Sequence, residues 1–214
     1  MVAFIVWLIN NLLYKLISFF LKKFYDILFK VVRLRVVSGK YKSRIIKYVE
    51  DEKTRPTTDK VKESIFNIIG PYFDGGIVLD LFAGSGGIGI EAISRGMDKG
   101  YFIDTSKEAI KVINDNLKTL GIANSLVLKR DYLDFLNSTN EKFSLIFLDP
   151  PYRMHILEDI LRIIHERGLL TEDGIVVCEY EKSYTFSSIY FEKIKEANYG
   201  IRNIAVYQER NDLL

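Results

Sequence analysis

Four apolar runs in this chain each end on an aspartate, and that repeat constrains the fold more than any other feature. Ile77–Leu81 closes around Asp80, Gly100–Ile103 meets Asp104, Leu126–Lys129 stops just short of Asp131, and Phe143–Leu148 leads into Asp149. The segments between them carry helical spacing. Gly87–Arg95 and Ser106–Leu120 read as helices, the second closed by Gly121, as a glycine past the last turn predicts. Alternation of this kind specifies a mostly parallel, doubly wound sheet with helices on both faces. In such open sheets ligands bind beyond the carboxyl ends of the strands. One aspartate at a strand end is ordinary turn chemistry. Four on one edge of one sheet point to a binding cleft.

The flanks extend the pattern. Thr54–Arg55–Pro56–Thr57–Thr58 is a break, and Thr58 or Asp59 can cap a helix running to about Tyr72. Val61, Ile65, Phe66, Ile68 and Ile69 supply its apolar face. Met154–Arg167 reads as a helix followed by Gly168, Gly174–Glu179 as a strand, and Ile189–Ile194 with Ile201–Gln208 as a C-terminal antiparallel hairpin. Ahead of the alternating part, Leu34–Val37 and Ser43–Val49 form a small basic hairpin around Gly39. The chain therefore divides into an apolar extension over residues 1–32, a basic hairpin over 33–53 and an α/β domain over 54–214.

Charge supports that division. From Arg33 to Lys62 there are ten Lys/Arg against four Asp/Glu, a balance of +6 within a chain whose net charge is +2. Residues 1–32 carry +3, which leaves −7 for the remainder. A basic N-terminal third on an acidic body suggests one face for a polyanion, although a solvated charged surface has the same composition. With 214 residues, 48% of them hydrophobic, the chain holds one packed domain and a small appendage.

The single cysteine, Cys178, lies in the apolar run Ile175–Cys178 and excludes an internal disulfide or a cysteine-rich metal site. His155 and His165, the only histidines, fall in one predicted helix without partner ligands, so no metal is expected. A reducing, cytoplasmic setting fits these features. Residues 2–32 fit less simply. Ala3–Leu21 approaches the length of a spanning helix but contains Asn10, Asn11 and Lys15. It lacks the charge ahead of the apolar run and the small residues after it that mark a secretory signal. An amphipathic helix on a membrane or partner, a weak anchor and a stretch outside the functional enzyme all remain open.

Gly84–Ser85–Gly86–Gly87–Ile88–Gly89 follows a strand and opens a helix, with Asp104 downstream. This satisfies the dinucleotide fingerprint, in which glycines admit the ligand to the backbone and the later acid takes ribose hydroxyls. Any adenosine-containing cofactor uses the same physics. Asp80 discriminates, because a carboxylate there suits a cationic amino group and repels a pyrophosphate.

Asp149–Pro150–Pro151–Tyr152 follows an apolar strand. The two prolines stiffen the backbone as it leaves the sheet, which fixes Asp149 and the Pro150 carbonyl as acceptors. Tyr152 offers a flat face for stacking. An exocyclic base amine is a poor nucleophile because its lone pair is delocalised into the ring. Two acceptors on its N–H groups draw the nitrogen toward a tetrahedral shape and free that pair, by positioning and electrostatics alone.

The glycine loop with Asp-Pro-Pro-Tyr resembles the Rossmann-like methyltransferases that act on amino groups. Arg35–Lys40, Thr54–Phe66 and Asp80–Gly86 resemble one bacterial family in particular, the guanine-N2 methyltransferases of small-subunit ribosomal RNA. The resemblance covers about Arg33 to Arg210. It implies a class I methyltransferase fold and S-adenosylmethionine as cofactor. By the same resemblance, Arg55, Thr57, Thr58 and Asp59 lie by the methionine end. Asp80, Phe82, Ala83, Gly84, Gly86 and Gly89 form the loop wall, Asp104 holds the ribose, and Asp131 with Tyr132 lies near the adenine. Many relatives have glutamate where Asp104 stands. Asp149, Pro150, Pro151 and Tyr152 are the implied catalytic set. Arg35, Lys40, Lys42, Arg44 and Lys47 are expected to contact phosphates of ribosomal RNA or of a small-subunit particle, and the target base is expected to be splayed out of its stack. Residues 1–32 have no counterpart in the family, and a monomer is expected. Three other readings share parts of the pattern: an adenine-N6 methyltransferase on DNA or RNA, a dehydrogenase, and a catalytically silent RNA-binding assembly factor. Asp80 and the proline pair count against the dehydrogenase, and an intact loop with Asp149 against silence.

Overall fold

The computed structural model describes residues 34–49, 59–151 and 154–210, with Lys15 and Ser18 from the N-terminal segment. By internal contacts the chain separates into two compact units, residues 1–33 and residues 34–214. The fold described below belongs to the second. The readings offered for residues 1–32, for Arg55, Thr57 and Thr58 and for Tyr152 fall outside the described residues. Among the described residues no helix is long and apolar enough to cross a membrane.

In chain order the elements are α1 (Asp59–Ile69), β1 (Ile77–Asp80), α2 (Gly87–Ser94), β2 (Lys99–Asp104), α3 (Lys107–Leu120) and β3 (Ser125–Lys129). There follow α4 (Tyr132–Ser138), β4 (Phe143–Leu148), α5 (Leu157–Glu166), β5 (Leu170–Glu181), β6 (Phe191–Tyr199) and β7 (Arg202–Glu209). The strands form one seven-stranded sheet in the order β3-β2-β1-β4-β5-β7-β6. The first five run parallel, and β7 pairs antiparallel with both β5 and β6. This is the doubly wound α/β architecture that the alternation predicts, with the antiparallel hairpin at its C-terminal edge. The strand order reverses at β1, which lies between β2 and β4, and that switch point is where open sheets of this type bind ligands.

Several boundaries differ from the sequence expectation for local reasons. α1 stops at Ile69 rather than Tyr72 because Gly70 adopts φ +122° and Pro71 follows. The helix expected from Met154 begins at Leu157, since His155 takes φ +41° and leaves only His165 within it. β5 starts at Leu170 instead of Gly174, its pairing with β4 shifting register between Phe143 and Leu145. α4 is a seven-residue helix that the sequence pattern misses, and Asp131 caps it by accepting the Leu133 N–H at 2.8 Å.

Side chains alternate across the sheet, so each strand feeds two cores. Leu79, Ile103, Ile146, Leu148, Val176 and Cys178 pack under α4 and α5. Val78, Leu145, Phe147, Val177 and Ile204 pack on the other face against Ile65 and Phe66 of α1. Phe66 is wholly buried, and a side chain of that size contributes about 1.5–3 kcal/mol by leaving water. The same alternation decides where the strand-end acids point. Asp80 follows Val78 by two, and Asp149 and Glu179 follow Phe147 and Val177 by two, so all three share the α1 face.

The basic hairpin is docked rather than free-standing. A single antiparallel bridge, Arg35 to Ile45, defines it, and Leu34, Val36 and Ile46 are buried against Ile90, Ile113 and Leu117. Buried Glu91 of α2 accepts the N–H groups of Val37 (2.7 Å) and Ser38 (2.9 Å) together with Arg95 Nε (2.8 Å). At Gly39, φ is +82° and an added Cβ would lie 1.8 Å from the Ser94 carbonyl oxygen, so only glycine lets the turn close on α2. Lys62, fully buried, donates to the Arg35 carbonyl and lies 3.7 Å from Asp59 and 3.9 Å from Glu91. Burial pushes its ammonium below the usual lysine range, and Glu91 and Asp59 oppose that shift.

Candidate active site

The carboxyl ends of the parallel strands open into one cavity of about 1160 Å³. Its lining includes Asp80 from β1, Asp104 from β2, Asp131 after β3 and Asp149 after β4, so the four strand-end aspartates meet in one space. That volume exceeds the roughly 300–1,000 Å³ of sites that hold one small molecule, which leaves room for two ligands side by side.

On one side stands the glycine loop. Gly86, at φ +74°, donates its N–H to the Ala83 carbonyl at 2.6 Å and starts α2 without a side-chain cap. Asp104 ties the loop to β2, accepting the Gly84 N–H on Oδ2 and the Ser106 N–H on Oδ1, both at 2.8 Å. A carboxylate has about four acceptor sites, so two remain for hydroxyls. Asp80 is 6% exposed and accepts the Gly89 N–H at 3.1 Å. Burial raises its pKa to about 7, with Asp104 adding to the shift and the Gly89 hydrogen bond opposing it.

The glycines of the loop have distinct jobs. A Cβ at Gly89 would lie 2.5 Å from the Phe102 ring, so that glycine allows α2 to approach β2 closely. A Cβ at Gly86 would press on Ile113 at 3.2 Å. Neither lines the cavity. Gly84 does, and a Cβ there would meet no protein atom within 4 Å, so its bareness keeps space clear for a ligand. Phe82 and Tyr132 add an aromatic wall, their rings 5.6 Å apart. A buried acid suited to an ammonium, a carboxylate with spare acceptors and a bare glycine fit the adenosine cofactor with a cationic amino-acid tail.

On the other side, Asp149 leaves β4 and is followed by Pro150 and Pro151, which also line the cavity. Asp149 is reached by solvent through the cavity yet is crowded by protein. That crowding raises its pKa well above the ordinary carboxylate value, Glu179 adds to the shift, and Arg202 opposes it. Glu179, at the end of the apolar part of β5, is buried and ion-paired with Arg202 of β7. Both line the cavity. Neither is among the site residues expected from sequence. Glu179 ends an apolar run as the four aspartates do, so extending the same rule to glutamate finds it. Arg202 carries no local signal, because antiparallel pairing alone brings it there.

Other predicted residues are placed differently. Ala83 lines the cavity beside the loop, whereas Asp59 does not, its carboxylate being held by Arg35 at 2.6 Å and near Lys62. All five hairpin cations are exposed. Lys47 pairs with Asp115 at 2.8 Å, Arg44 donates to the Thr119 carbonyl at 3.4 Å, and Lys40 lies over the Tyr41 ring at 5.4 Å. His155 and His165 pack on Tyr184 and Tyr190 at ring separations of 4.5 and 4.3 Å. Among the described residues no cluster of metal-ligating side chains is present.

Residues 34–208 match the family described as conserved hypothetical protein 95. The chain is 44% identical over 183 residues to the Bacillus subtilis protein YlbH, provisionally named an rRNA methyltransferase, covering 83% of this chain and 100% of that one. It is 32% identical over 180 residues to ribosomal RNA small subunit methyltransferase D of Haemophilus influenzae, covering 82% and 93%. The solved structure of an Escherichia coli protein, provisionally named the methyltransferase yhhF, superposes with a TM-score of 0.74 at 28% identity, covering 83% and 98%.

Proposed function

The chain belongs to the conserved hypothetical protein 95 family and is related to small-subunit ribosomal RNA methyltransferases, and from that premise we propose that it methylates the exocyclic N2 amine of a guanine in small-subunit ribosomal RNA. The observation that supports this reading most is that Asp149–Pro150–Pro151 and the Asp80–Asp104 loop open into one cavity. A cofactor and a base can therefore meet there without crossing the sheet.

In this reading S-adenosylmethionine, when bound, supplies a methyl group on a sulfonium sulfur that keeps the bonding pair on transfer. Asp80 faces its ammonium, Asp104 takes the ribose hydroxyls, and Phe82 with Tyr132 flanks the adenine. Asp149 and the Pro150 carbonyl grip the two N–H groups of the guanine amine. The freed nitrogen pair forms the new N–C bond, and one amine proton then passes to water. The residues act by position and charge, with no covalent enzyme intermediate. The exposed hairpin cations contribute phosphate contacts that add affinity without base choice.

The test is direct. Small-subunit ribosomal RNA and assembled small subunits, each free of the modification, are incubated with the protein and methyl-labelled S-adenosylmethionine, then digested to nucleosides. N2-methylguanosine is the expected product. Label in N6-methyladenosine, or no label in either substrate, would refute the reading.

A further inference from the structure

The cavity holds a second carboxylate on the target side, and its register with Asp149 gives it a task. Leu148 of β4 pairs with Cys178 of β5, so Asp149 and Glu179 are the next residues on neighbouring parallel strands. Such strands run about 4.8 Å apart. Both residues share the α1 face, both line the cavity, and Arg202 holds Glu179 by an ion pair. Two adjacent acceptor groups therefore face the space that the target base would occupy.

A guanine presents two adjacent donors on one edge, N1–H and the N2 amine. An adenine presents its amine beside a bare N1 lone pair. A flipped base is read along this edge. We propose that Glu179, fixed by Arg202, accepts the guanine N1–H while Asp149 grips the neighbouring amine, so that Glu179 selects guanine over bases whose ring nitrogen next to the amine is an acceptor. The inference rests on the guanine-N2 reading and adds a specificity-determining residue to it. Arg202 is a positioning residue. Its ion pair orients the Glu179 carboxylate and gives it a partner in a buried setting, where an unpaired carboxylate is costly.

The physics makes discrimination steep. A carboxylate facing a ring lone pair is left without its donor and repels the base, and sites built around such a contact reject the mismatched ligand far more strongly than apolar pockets do.

The probe is 2-aminopurine, which keeps the exocyclic amine at C2 but has an acceptor at N1. It replaces the target guanine in a synthetic RNA fragment centred on the nucleotide that the protein labels, used naked and reassembled into the particle. Wild type is expected to prefer guanine over 2-aminopurine by about 10⁴-fold or more in single-turnover methyl transfer, the low end of the discrimination seen when a site hydrogen-bonds a group that its competitor lacks. Glu179→Gln, whose amide N–H can donate to N1, should lose guanine rate and narrow that preference to within about tenfold, while S-adenosylmethionine affinity stays within a few-fold. Arg202→Lys should keep the preference partly, since a cation is retained. A folded Glu179→Gln protein with the wild-type preference would overturn the inference, as would wild type that methylates both RNAs equally, which needs no variant at all. In either case guanine is still methylated and the guanine-N2 reading stands; absence of methylation on the guanine RNA would instead remove that reading and this inference together.

Discussion

The two sides of the cavity are built in different ways. On the loop side, the two carboxylates are held by backbone N–H groups of the glycine loop. Gly89 N–H reaches Asp80 across nine residues, and Gly84 N–H reaches Asp104 across twenty. On the target side, Asp149, Glu179 and Arg202 come from three strands and meet only because β4, β5 and β7 pair. The first side is tied down by hydrogen bonds before any ligand arrives. On the second, two acids crowd together and Arg202 offsets part of their repulsion. A pre-bonded wall suits a cofactor that must be held in one pose. Acceptors with spare capacity suit a base amine that must be drawn out of planarity. The contrast separates binding from chemistry, and it can be broken by substituting one side at a time.

The largest effect is expected from Asp149→Ala. If Asp149 grips the amine, single-turnover methyl transfer should fall by about 10²–10³-fold or more, the range seen when one preorganised transition-state contact is removed. Cofactor affinity should stay within a few-fold, since the loop side is untouched. Melting temperature, cofactor affinity and transfer rate measured on one preparation test this. If all three fall together, Asp149 is a structural turn residue and the separation of roles is wrong. Near wild-type transfer by a stable Asp149→Ala protein would end the amine-gripping mechanism.

The loop side makes a pH prediction. Asp80 has its folded-state pKa raised to about 7 against an ordinary value of 3.8. A raised acid binds a proton that the unfolded chain has already lost. Its contribution to stability is therefore present below about pH 4 and is lost as pH rises toward 7. A cationic ligand tail reverses the preference, because it favours the ionised carboxylate. Affinity for S-adenosylmethionine should rise with pH up to about 7 and then level, falling by about tenfold per pH unit below that point. Calorimetry in buffers of different ionisation enthalpy should also record proton release on binding at pH 6. Affinity that is flat from pH 5.5 to 8, with no proton released, would show that Asp80 does not face the ammonium. Asp80→Asn should flatten the profile in any case.

These differences explain which parts the sequence reveals. The alternating runs, the strand-end aspartates and the glycine fingerprint are local patterns with local physical causes, and the parallel sheet follows from them. α4 escapes because seven residues are too short to display a helical period. The early end of α1 and the late start of α5 follow from positive φ at Gly70 and His155, which no apolar spacing reports. Glu179 is partly legible, as an acid ending an apolar run. Arg202 is not, because its place depends on the tertiary pairing of β7 with β5, which no local motif reports. The docking of the hairpin is hidden for the same reason. Glu91 and Lys62 look like ordinary surface charges on amphipathic helices, yet both side chains are fully buried in one network.

The smallest effect concerns that hairpin, which belongs to neither side of the cavity. Arg35 and Lys47 already pair with Asp59 and Asp115, and Arg44 is engaged with a helix carbonyl. Lys40 and Lys42 are exposed and sit in the turn, with Lys40 resting over the Tyr41 ring. If the hairpin meets RNA phosphates, these two lysines should carry most of the salt dependence. Reversing both, Lys40→Glu with Lys42→Glu, should weaken RNA binding and lower the slope of log affinity against log salt by about 1.4 to 1.8, at roughly 0.7–0.9 for each phosphate that is no longer neutralised. Cofactor affinity should not move. Reversing Arg35 and Lys47 instead breaks surface pairs and should cost fold stability of roughly 0.2–1 kcal/mol each, with a smaller change in slope. Both double variants are measured across a salt series with one substrate RNA, alongside melting temperature. Equal slopes for the Lys40/Lys42 variant and wild type would mean that RNA approaches by another face. The hairpin would then serve the fold alone, through Leu34, Val36 and Ile46, and the basic balance of this segment would be a solvated surface.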